Sequence, residues 1–456
     1  MRNGRISHWF EDLGVPEPRP VVPGYLSSDV AIVGAGYTGL WTAYYLKKQR
    51  PRLRVVLVEQ RHAGYGASGR NGGWLTNSIT GGRDRYVASH GRLPAENFQR
   101  LMNQSVDEVI SVCRTEGIDA DIQRGGEFEV AYTEAQESRL RAQYESESRW
   151  PYTDIQLLQA PEATARINVA GTRAALWHPH AARIHPAKLV TGLAEAAERL
   201  GVEIYENTRV TEIRPHIMET THGTIAAEHI IRATEGFTAS LSGSRRLWLP
   251  MNSSMIVTEP LGGEVWEELN WAQGEVLGDY AHVYMYAQRT ADDRIALGGR
   301  GVPYKFGSRT DHDGQTPLKT VRELTAVLHR LFPVTTGASI EHTWSGVLGV
   351  PRDWAATVGY ERNTGIGWAG GYVGTGVTAT NLAGRTLADL VLGQDSEIVG
   401  LPWVNRRARR WEPEPLRWIA TTGLYAAYRA ADRAESSGRS TTSPLARVAD
   451  LLTGKS

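Results

Sequence analysis

The first sixty residues contain two short apolar runs separated by a segment with helical spacing. Residues 29–33 and 54–58 form the apolar runs, and residues 40–48 between them repeat apolar positions as a helix does. A strand, a helix and a second strand in this order predict a β-α-β unit with two parallel strands.

Three glycines stand where the first strand of this unit turns into the helix. Gly34, Gly36 and Gly39 allow a tight turn and let a pyrophosphate approach the backbone, while the amides at the helix start face the phosphates. Glu59 follows the second strand, twenty residues after Gly39, where an acid can accept hydrogen bonds from a ribose. The complete order predicts a dinucleotide site rather than a chance glycine-rich turn.

The rest of the chain predicts helices and strands in two different arrangements. Helical spacing is expected over residues 94–117, 133–148, 188–200, 317–331 and 377–392. Strands are expected over residues 127–132 and 202–205, over a hairpin of 208–213 with 224–233, and over 255–258, 282–288 and 294–298. The last three have no helix between them, so they predict an antiparallel sheet separate from the β-α-β unit.

Composition and charge narrow the class of protein. The chain has 456 residues, which predicts two or more domains. Its 50 basic residues (Lys and Arg) balance 50 acidic ones (Asp and Glu), which argues against nucleic acid as a partner. No signal peptide and no spanning run of about eighteen apolar residues is recognised, so a cytoplasmic location is expected.

Cysteine and histidine give little reason to expect a metal or a covalent link. Cys113 is the only cysteine, which excludes an internal disulfide, and it is expected to be an inert core thiol. His62, His185 and His342 are isolated and are expected to be structural, and no metal-ligand motif is present, so no metal is predicted. A covalent link from His62 to a bound cofactor is the alternative interpretation.

Two further glycine-rich stretches lie far from the first. Residues 64–73 follow Glu59 closely, and residues 370–378 enter the last long helix. The first could be a flexible loop, but its small residues would also let the backbone lie against a flat ring, and the second would expose amides that stabilise negative charge on a reduced ring. An enzyme that binds only NAD has no evident need for the distant stretch, whereas a flavin accounts for all three.

With these stretches in place, the chain resembles the FAD-dependent D-amino-acid oxidase and glycine oxidase superfamily. Within it, the chain looks most similar to the gamma-glutamylputrescine oxidase-like members. The resemblance rests on the first glycines with Glu59, on residues 66–73, on Trp344-Ser345-Gly346 followed by the 371–377 loop, and on the order Ile184-His185-Pro186, helix, Gly201-Val202, strand, Val210. It covers most of residues 29–392.

The resemblance implies an α/β fold, with a Rossmann-like FAD-binding domain and a discontinuous α+β substrate domain that contains a mixed or antiparallel sheet. The FAD-binding domain is expected over residues 1–90, 161–243 and 341–400, and the substrate domain over 91–160 and 244–340. Residues 401–456 contain ten basic and five acidic residues and are expected to form a basic, helical C-terminal tail. We expect this tail to pack on the domain as a cap; the alternative is that it contacts an acidic partner or a membrane surface.

The resemblance also implies which residues hold FAD, without a covalent bond. The expected cofactor-binding residues are Gly34, Gly36, Gly39, Glu59, Ser68, Arg70, Asn71, Gly72, Val210, Gly346, Gly374, Gly376 and Val377.

Three positions depart from relatives in this superfamily. Leu348 stands where relatives that act on free amino acids carry an arginine for the substrate carboxylate, and Arg352 lies nearby but beyond a proline. Ser345 stands near the place of a flavin-linking cysteine, and Ala296 replaces a lysine that promotes reaction with oxygen. Non-covalent FAD and an open choice of electron acceptor follow.

Candidate substrate-contacting residues lie on the strand predicted at 282–288. Alternation places His282, Tyr284, Tyr286 and Gln288 on one face. Tyr284 and Tyr286 are expected to face the substrate, with Arg300 or Arg289 neutralising a substrate carboxylate. The competing interpretation makes the tyrosines core residues and the arginines surface residues.

These features predict an FAD-dependent oxidase that acts on a primary or secondary amine, an N-substituted glycine or an amino acid. Hydride leaves the carbon next to nitrogen, the resulting imine hydrolyses to an aldehyde or keto acid plus an amine, and O2 yields hydrogen peroxide. Three alternatives stay open. They are a dehydrogenase that passes electrons to a quinone or carrier protein, a flavin monooxygenase, and a dinucleotide-binding protein without turnover.

Overall fold

The computed structural model describes residues 1–272, 274–299, 301, 303–310, 313–444 and 446. Within these residues the strands are β1 (Arg2–Asn3), β2 (Leu26–Val33), β3 (Val55–Val58), β4 (Trp74–Thr76), β5 (Gln123–Arg124), β6 (Glu127–Ala131), β7 (Gln156–Gln159), β8 (Ala174–His178), β9 (Ala181–Arg183), β10 (Val202–Tyr205), β11 (Val210–Arg214), β12 (Ile217–Thr220), β13 (Gly223–Arg232), β14 (Leu249–Thr258), β15 (Val276–Asp279), β16 (Met285–Arg289), β17 (Ile295–Gly299), β18 (Ile340–Val350), β19 (Thr357–Glu361) and β20 (Ile366–Gly370). The helices are α1 (His8–Leu13), α2 (Tyr37–Gln49), α3 (Arg83–His90), α4 (Arg92–Glu116), α5 (Glu134–Glu147), α6 (Ala160–Arg166), α7 (Pro186–Arg199), α8 (Gly263–Leu269), α9 (Leu318–Leu331), α10 (Gly376–Leu392) and α11 (Leu416–Ser436).

The first sheet contains the predicted β-α-β unit. Its order is β10-β3-β2-β13-β12-β11, with β20 paired to β13 and β19 to β20. The pairs β10/β3, β3/β2, β2/β13 and β13/β20 are parallel. Every residue of β3 and the last four residues of β2 are buried, as expected for parallel strands that are covered on both faces.

The second sheet forms the other domain. Its order is β1-β18-β14-β17-β16-β15-β6-β8-β7, and all neighbours are antiparallel except β1/β18 and β15/β6. Helix α9 packs on this sheet through buried Val321, Leu324 and Leu328. The predicted α/β fold with a mixed second sheet is therefore confirmed.

Three sequence expectations need correction at the level of strands. β8 and β18 belong to the second sheet, although the domain ranges 161–243 and 341–400 assigned them to the FAD-binding domain. The hairpin of 208–213 with 224–233 contains a further strand, β12, so it is a three-stranded meander. The strand expected from residue 282 begins at Met285. The sheet to which β8 and β18 belong is decided by pairing with strands distant in the chain, which local alternation does not report.

The basic tail folds back onto the second domain. Asp432 on α11 accepts hydrogen bonds from the backbone amides of His282 and Val283 at 2.8 and 2.9 Å. Glu435, one turn further on, pairs with Arg139 and His282, each at 2.9 Å. These contacts pack α11 against the residues that precede β16. In the described part of the chain, no helix has both the length and the apolar character to cross a bilayer.

The main core fills the space between the first sheet and helices α2, α4, α7 and α10. Helices α2 and α10 approach closely because Gly384 has no side chain: a Cβ there would lie 2.6 Å from the Cβ of Trp41 and 2.9 Å from the amide nitrogen of Thr42. This contact brings the start of α10 beside the start of α2.

We expect Gly384→Ala to lower the free energy of unfolding by about 1–3 kcal/mol, because the added methyl group overpacks the α2–α10 contact. Gly423→Ala in α11 is the matched control, since nothing lies within 4 Å of its Cβ position. That control should be neutral or more stable by up to about 1 kcal/mol. Urea denaturation measures both, and equal effects would contradict the packing explanation.

Candidate active site

A deep cavity runs along the carboxyl ends of the parallel strands. It has an empty volume of about 1190 Å³ and is lined by parts of all three glycine-rich stretches, so we call it the glycine cavity. Its lining also includes residues 233–237, which follow β13. Ligands in open α/β sheets bind at this edge, where helix N-termini also point.

The first glycine stretch has the geometry that a pyrophosphate requires. Gly34 has a φ of 103°, which favours glycine, and a Cβ on Gly39 would lie 2.0 Å from the Gly34 carbonyl oxygen. Helix α2 has no side-chain cap at Gly36. Its Tyr37 amide donates to Ser68 Oγ at 2.8 Å, which brings the second glycine stretch against the helix start.

Glu59 lies at the end of β3 and is oriented by backbone amides. Ala35 donates to its Oε2 and Arg61 to its Oε1, both at 3.0 Å. Burial raises the pKa of the Glu59 carboxyl even though these amides favour its charged form. The carboxylate therefore lines the glycine cavity in a fixed orientation with lone pairs left for a ribose hydroxyl.

The second glycine stretch is a loop held by its own polar side chains. Asn71 donates to the carbonyls of Ala67 and Ser68 and accepts from the Gly73 amide. Arg70 donates to the carbonyls of Tyr65 and Ser345 and so ties the loop to β18. These two residues shape the loop as well as line a cavity.

The third stretch is anchored by a buried carboxyl group that sequence reasoning missed. Glu235 accepts hydrogen bonds from the amides of Tyr372 at 3.0 Å and Gly371 at 3.4 Å. Burial is the largest effect and raises its pKa to about 7, against the stabilising amides. Its position directly after a parallel strand, β13, was the signal that could have found it.

A second cavity opens from the glycine cavity. It has an empty volume of about 1590 Å³ and is lined by Tyr280, Tyr284, Tyr286 and Tyr428, so we call it the tyrosine cavity. The two cavities have five lining residues in common, namely Ala67, Asn71, Leu348, Gly374 and Val377. A ligand spanning the first cavity would therefore border the second.

The structure brings together almost all of the predicted cofactor residues. Those lining one or both cavities are Gly34, Gly36, Glu59, Ser68, Arg70, Asn71, Gly72, Val210, Gly346, Gly374, Gly376 and Val377. Gly39 does not line a cavity, and its place in α2 against Gly34 explains why a side chain is excluded there.

The predicted substrate residues divide into two groups. Tyr284 and Tyr286 line the tyrosine cavity, and the Tyr286 hydroxyl lies 2.8 Å from Ser253 Oγ. Arg289 does not reach this cavity, because its guanidinium pairs with Asp293 at 2.6 Å and lies over the Trp266 ring. Arg300 lies outside the described residues.

The alternation of side chains predicted for residues 282–288 is seen in β16 from Tyr286 onward. A Cβ on Gly72 would lie 2.7 Å from the Tyr286 ring, and Gln288 donates to the Gly72 carbonyl at 2.9 Å. Both side chains therefore face the second glycine stretch. His282 lies in the turn before β16, where its ring stacks on Tyr428 of α11.

Residues that depart from the superfamily pattern also have defined places. Leu348 lines both cavities, whereas Arg352 pairs with Glu412 at 3.1 Å outside them. Cys113 is buried in α4. Neither Cys113 nor His62 lines either cavity.

Residues 29–390 match the family model described as "FAD dependent oxidoreductase" (DAO). This chain belongs to that family. The dinucleotide predicted from the glycine stretches is therefore FAD, and a binding protein without turnover is set aside in favour of an FAD-dependent oxidoreductase.

Relatives agree with this assignment. The chain is 30% identical to gamma-glutamylputrescine oxidoreductase of Escherichia coli over 81% of this chain and 84% of that protein. It is 27% identical to glycine oxidase of Geobacillus kaustophilus over 80% of this chain and 92% of that protein. The crystal structure of the latter superposes with a TM-score of 0.70 at 23% identity, covering 84% of this chain and all of that one.

The residues present fit FAD. The N-termini of α2 and α10 both open onto the glycine cavity, and neither N-cap residue supplies a side-chain hydrogen bond there, so amides at both helix starts can meet a pyrophosphate and a reduced ring. Glu59 at one end suits a ribose, and Gly374 and Val377 at the other border the tyrosine cavity.

We expect Glu235→Gln to change how the stability of the apoprotein depends on pH. The folded-state pKa of about 7 exceeds the ordinary value of 4.5, so the wild-type carboxyl stabilises the fold fully below pH 4.5 and loses this contribution as the pH rises to about 7. The stability of wild type relative to Glu235→Gln should therefore fall between these pH values. Denaturation at several pH values measures it, and parallel stability curves would contradict the raised pKa.

Proposed function

We propose that this chain is an FAD-dependent oxidase of amines. FAD supplies the hydride acceptor when it is bound. The observation that carries the proposal is the tyrosine cavity. It shares five lining residues with the glycine cavity, so a substrate in it would lie beside the flavin ring of an FAD bound there. The names of the two relatives, an oxidoreductase of gamma-glutamylputrescine and a glycine oxidase, support a carbon–nitrogen bond as the target.

The chain's own residues would orient and enclose the substrate. Hydride removal requires the carbon next to nitrogen about 3–3.5 Å from its acceptor, and it needs a neutral amine rather than a catalytic triad. The ring of Tyr286 packs against Gly72 and Gly298, and its hydroxyl lies 2.8 Å from Ser253 Oγ; Tyr286 and Ser253 both line the tyrosine cavity. Tyr284 is 37% exposed at the same wall. Excluding water here favours the neutral amine.

The expected product is an imine, which hydrolyses to an aldehyde or keto acid and a free amine. Oxygen would then yield hydrogen peroxide. A dehydrogenase that transfers electrons to a quinone or carrier protein is the second candidate, because Ala296 stands where relatives carry the lysine that promotes reaction with oxygen. Arg300 as the partner of a substrate carboxylate stays a prediction.

Anaerobic mixing with a panel of amines tests the proposal. We expect one or more amines to bleach the flavin absorbance without any nicotinamide, because the substrate itself provides the hydride. An oxygen electrode then separates oxidase from dehydrogenase. Bleaching that requires reduced nicotinamide would indicate a monooxygenase and contradict both candidates.

We expect Tyr286→Phe to lower kcat/KM for an accepted amine by about three- to tenfold, because it removes the hydroxyl that pairs with Ser253 at the cavity wall. Tyr360→Phe is the control, since its hydroxyl bonds His229 outside the cavity. Steady-state kinetics of both variants give the comparison. Unchanged kinetics in Tyr286→Phe would remove this residue from the proposed site.

A further inference from the structure

One wall of the tyrosine cavity is acidic. Glu127 and Glu129 lie on β6, and Gly278 on the neighbouring parallel strand β15 is in register with Glu129. Asp279, the next residue of β15, also lines the cavity but is in register with Val130 and so belongs to the other face of the sheet. Alternation directs Glu127 and Glu129 to the same face. Because Gly278 has no side chain, the Glu129 carboxylate and the Trp74 ring both have room beside it. A Cβ at Gly278 would lie 3.2 Å from the Trp74 ring.

The three carboxylates differ in how they are paired. Glu127 contacts the Thr76 hydroxyl and lies 3.4 Å from His178. Asp279 accepts from the Tyr132 hydroxyl at 2.7 Å and the Met285 amide at 2.9 Å. Among the described residues, Glu129 accepts only one hydrogen bond, from Tyr280 to Oε2 at a long 3.3 Å.

The cationic side chains that line this cavity are already committed elsewhere. Arg139 pairs with Glu435 and donates to the Tyr280 carbonyl at 2.7 Å, and His282 also bonds Glu435. Arg70 donates to the carbonyls of Tyr65 and Ser345. Burial, followed by the neighbouring Glu127, raises the pKa of Glu129 to about 8. Among the residues that the structure describes, this wall therefore offers Glu129 no uncommitted positive charge, which a carboxylate shielded from water needs to stay ionised.

We propose that the substrate carries a second ammonium group, besides the amine that is oxidised, and that Glu129 binds it. The substrate class is then a diamine or polyamine, whose methylene chain would pack along the aromatic rings of Trp74, Tyr284 and Tyr286. This inference rests on the proposed amine oxidation and adds the chemistry of the substrate's other end. A buried charge-assisted pair gives both affinity and selectivity.

The test compares three amines that share a five-carbon chain and differ in the group at its distal end: an ammonium, a methyl or a carboxylate. We expect kcat/KM for 1,5-diaminopentane to exceed that for pentylamine by about tenfold or more, as a charged hydrogen bond predicts. 5-Aminopentanoate should be the poorest of the three. In Glu129→Gln the ratio of diamine to pentylamine should fall to near one.

Glu137→Gln is the matched control, since this carboxylate pairs with Arg141 and Arg173 on the outer face of the second domain. It should keep the wild-type ratio. If the amines are oxidised but the diamine is not preferred, or if Glu129→Gln keeps the preference, the inference is overturned while the proposed function stands. A preference for 5-aminopentanoate would instead favour an arginine partner for the distal group.

Calorimetric titration of the FAD-loaded protein with 1,5-diaminopentane separates the two proposals when no amine is oxidised. Binding that Glu129→Gln weakens by about tenfold supports the cation site even without turnover. Absence of binding to wild type, or equal binding to both proteins, overturns it. The folded state of the variant is checked by its flavin spectrum and its unfolding transition.

Discussion

The close approach of the first glycine stretch to its neighbours is the constraint on which the rest of the structure depends. A Cβ at Gly34 would lie 2.6 Å from the Ala233 carbonyl oxygen, and one at Gly39 would lie 2.0 Å from the Gly34 carbonyl oxygen. No side chain fits at either place, so β2 can turn directly into α2 while β13 ends beside it. The uncapped start of α2 consequently faces the cavity that the end of β13 borders.

Two polar contacts then fix the loops at this edge of the first sheet, and one of them reaches the second sheet. Glu235 fixes the loop before α10 through two backbone amides, and Arg70 ties the second glycine stretch to β18. The result is that residues far apart in the chain, such as Asn71 and Gly374, line both cavities. In the proposed function, the same small set of loops would hold the cofactor and give a substrate access to it.

Charge is distributed unevenly in a chain whose net charge is zero. The basic tail contributes an acidic residue, Glu435, where it meets the tyrosine cavity, and this residue holds both Arg139 and His282. Another part of the cavity lining carries Glu129, which accepts one hydrogen bond among the described residues. Net charge therefore says little about this protein's ligand, whereas the pairing of individual buried groups suggests its chemistry.

The sequence by itself determined the β-α-β unit, the long helices, the dinucleotide and the family, because apolar periodicity and glycine spacing are local properties of the chain. It also placed Tyr286 and Gln288 on one face by alternation, as β16 shows. Only the tertiary structure decided that β8 joins the second sheet, that Arg289 pairs with Asp293 away from the cavity, and that Glu129 and Tyr428 border it. Strand pairing and the lining of a cavity depend on residues distant in the chain, which no local pattern specifies. The Arg289–Asp293 pair spans only four residues, but it forms at the turn that the pairing of β16 with β17 closes.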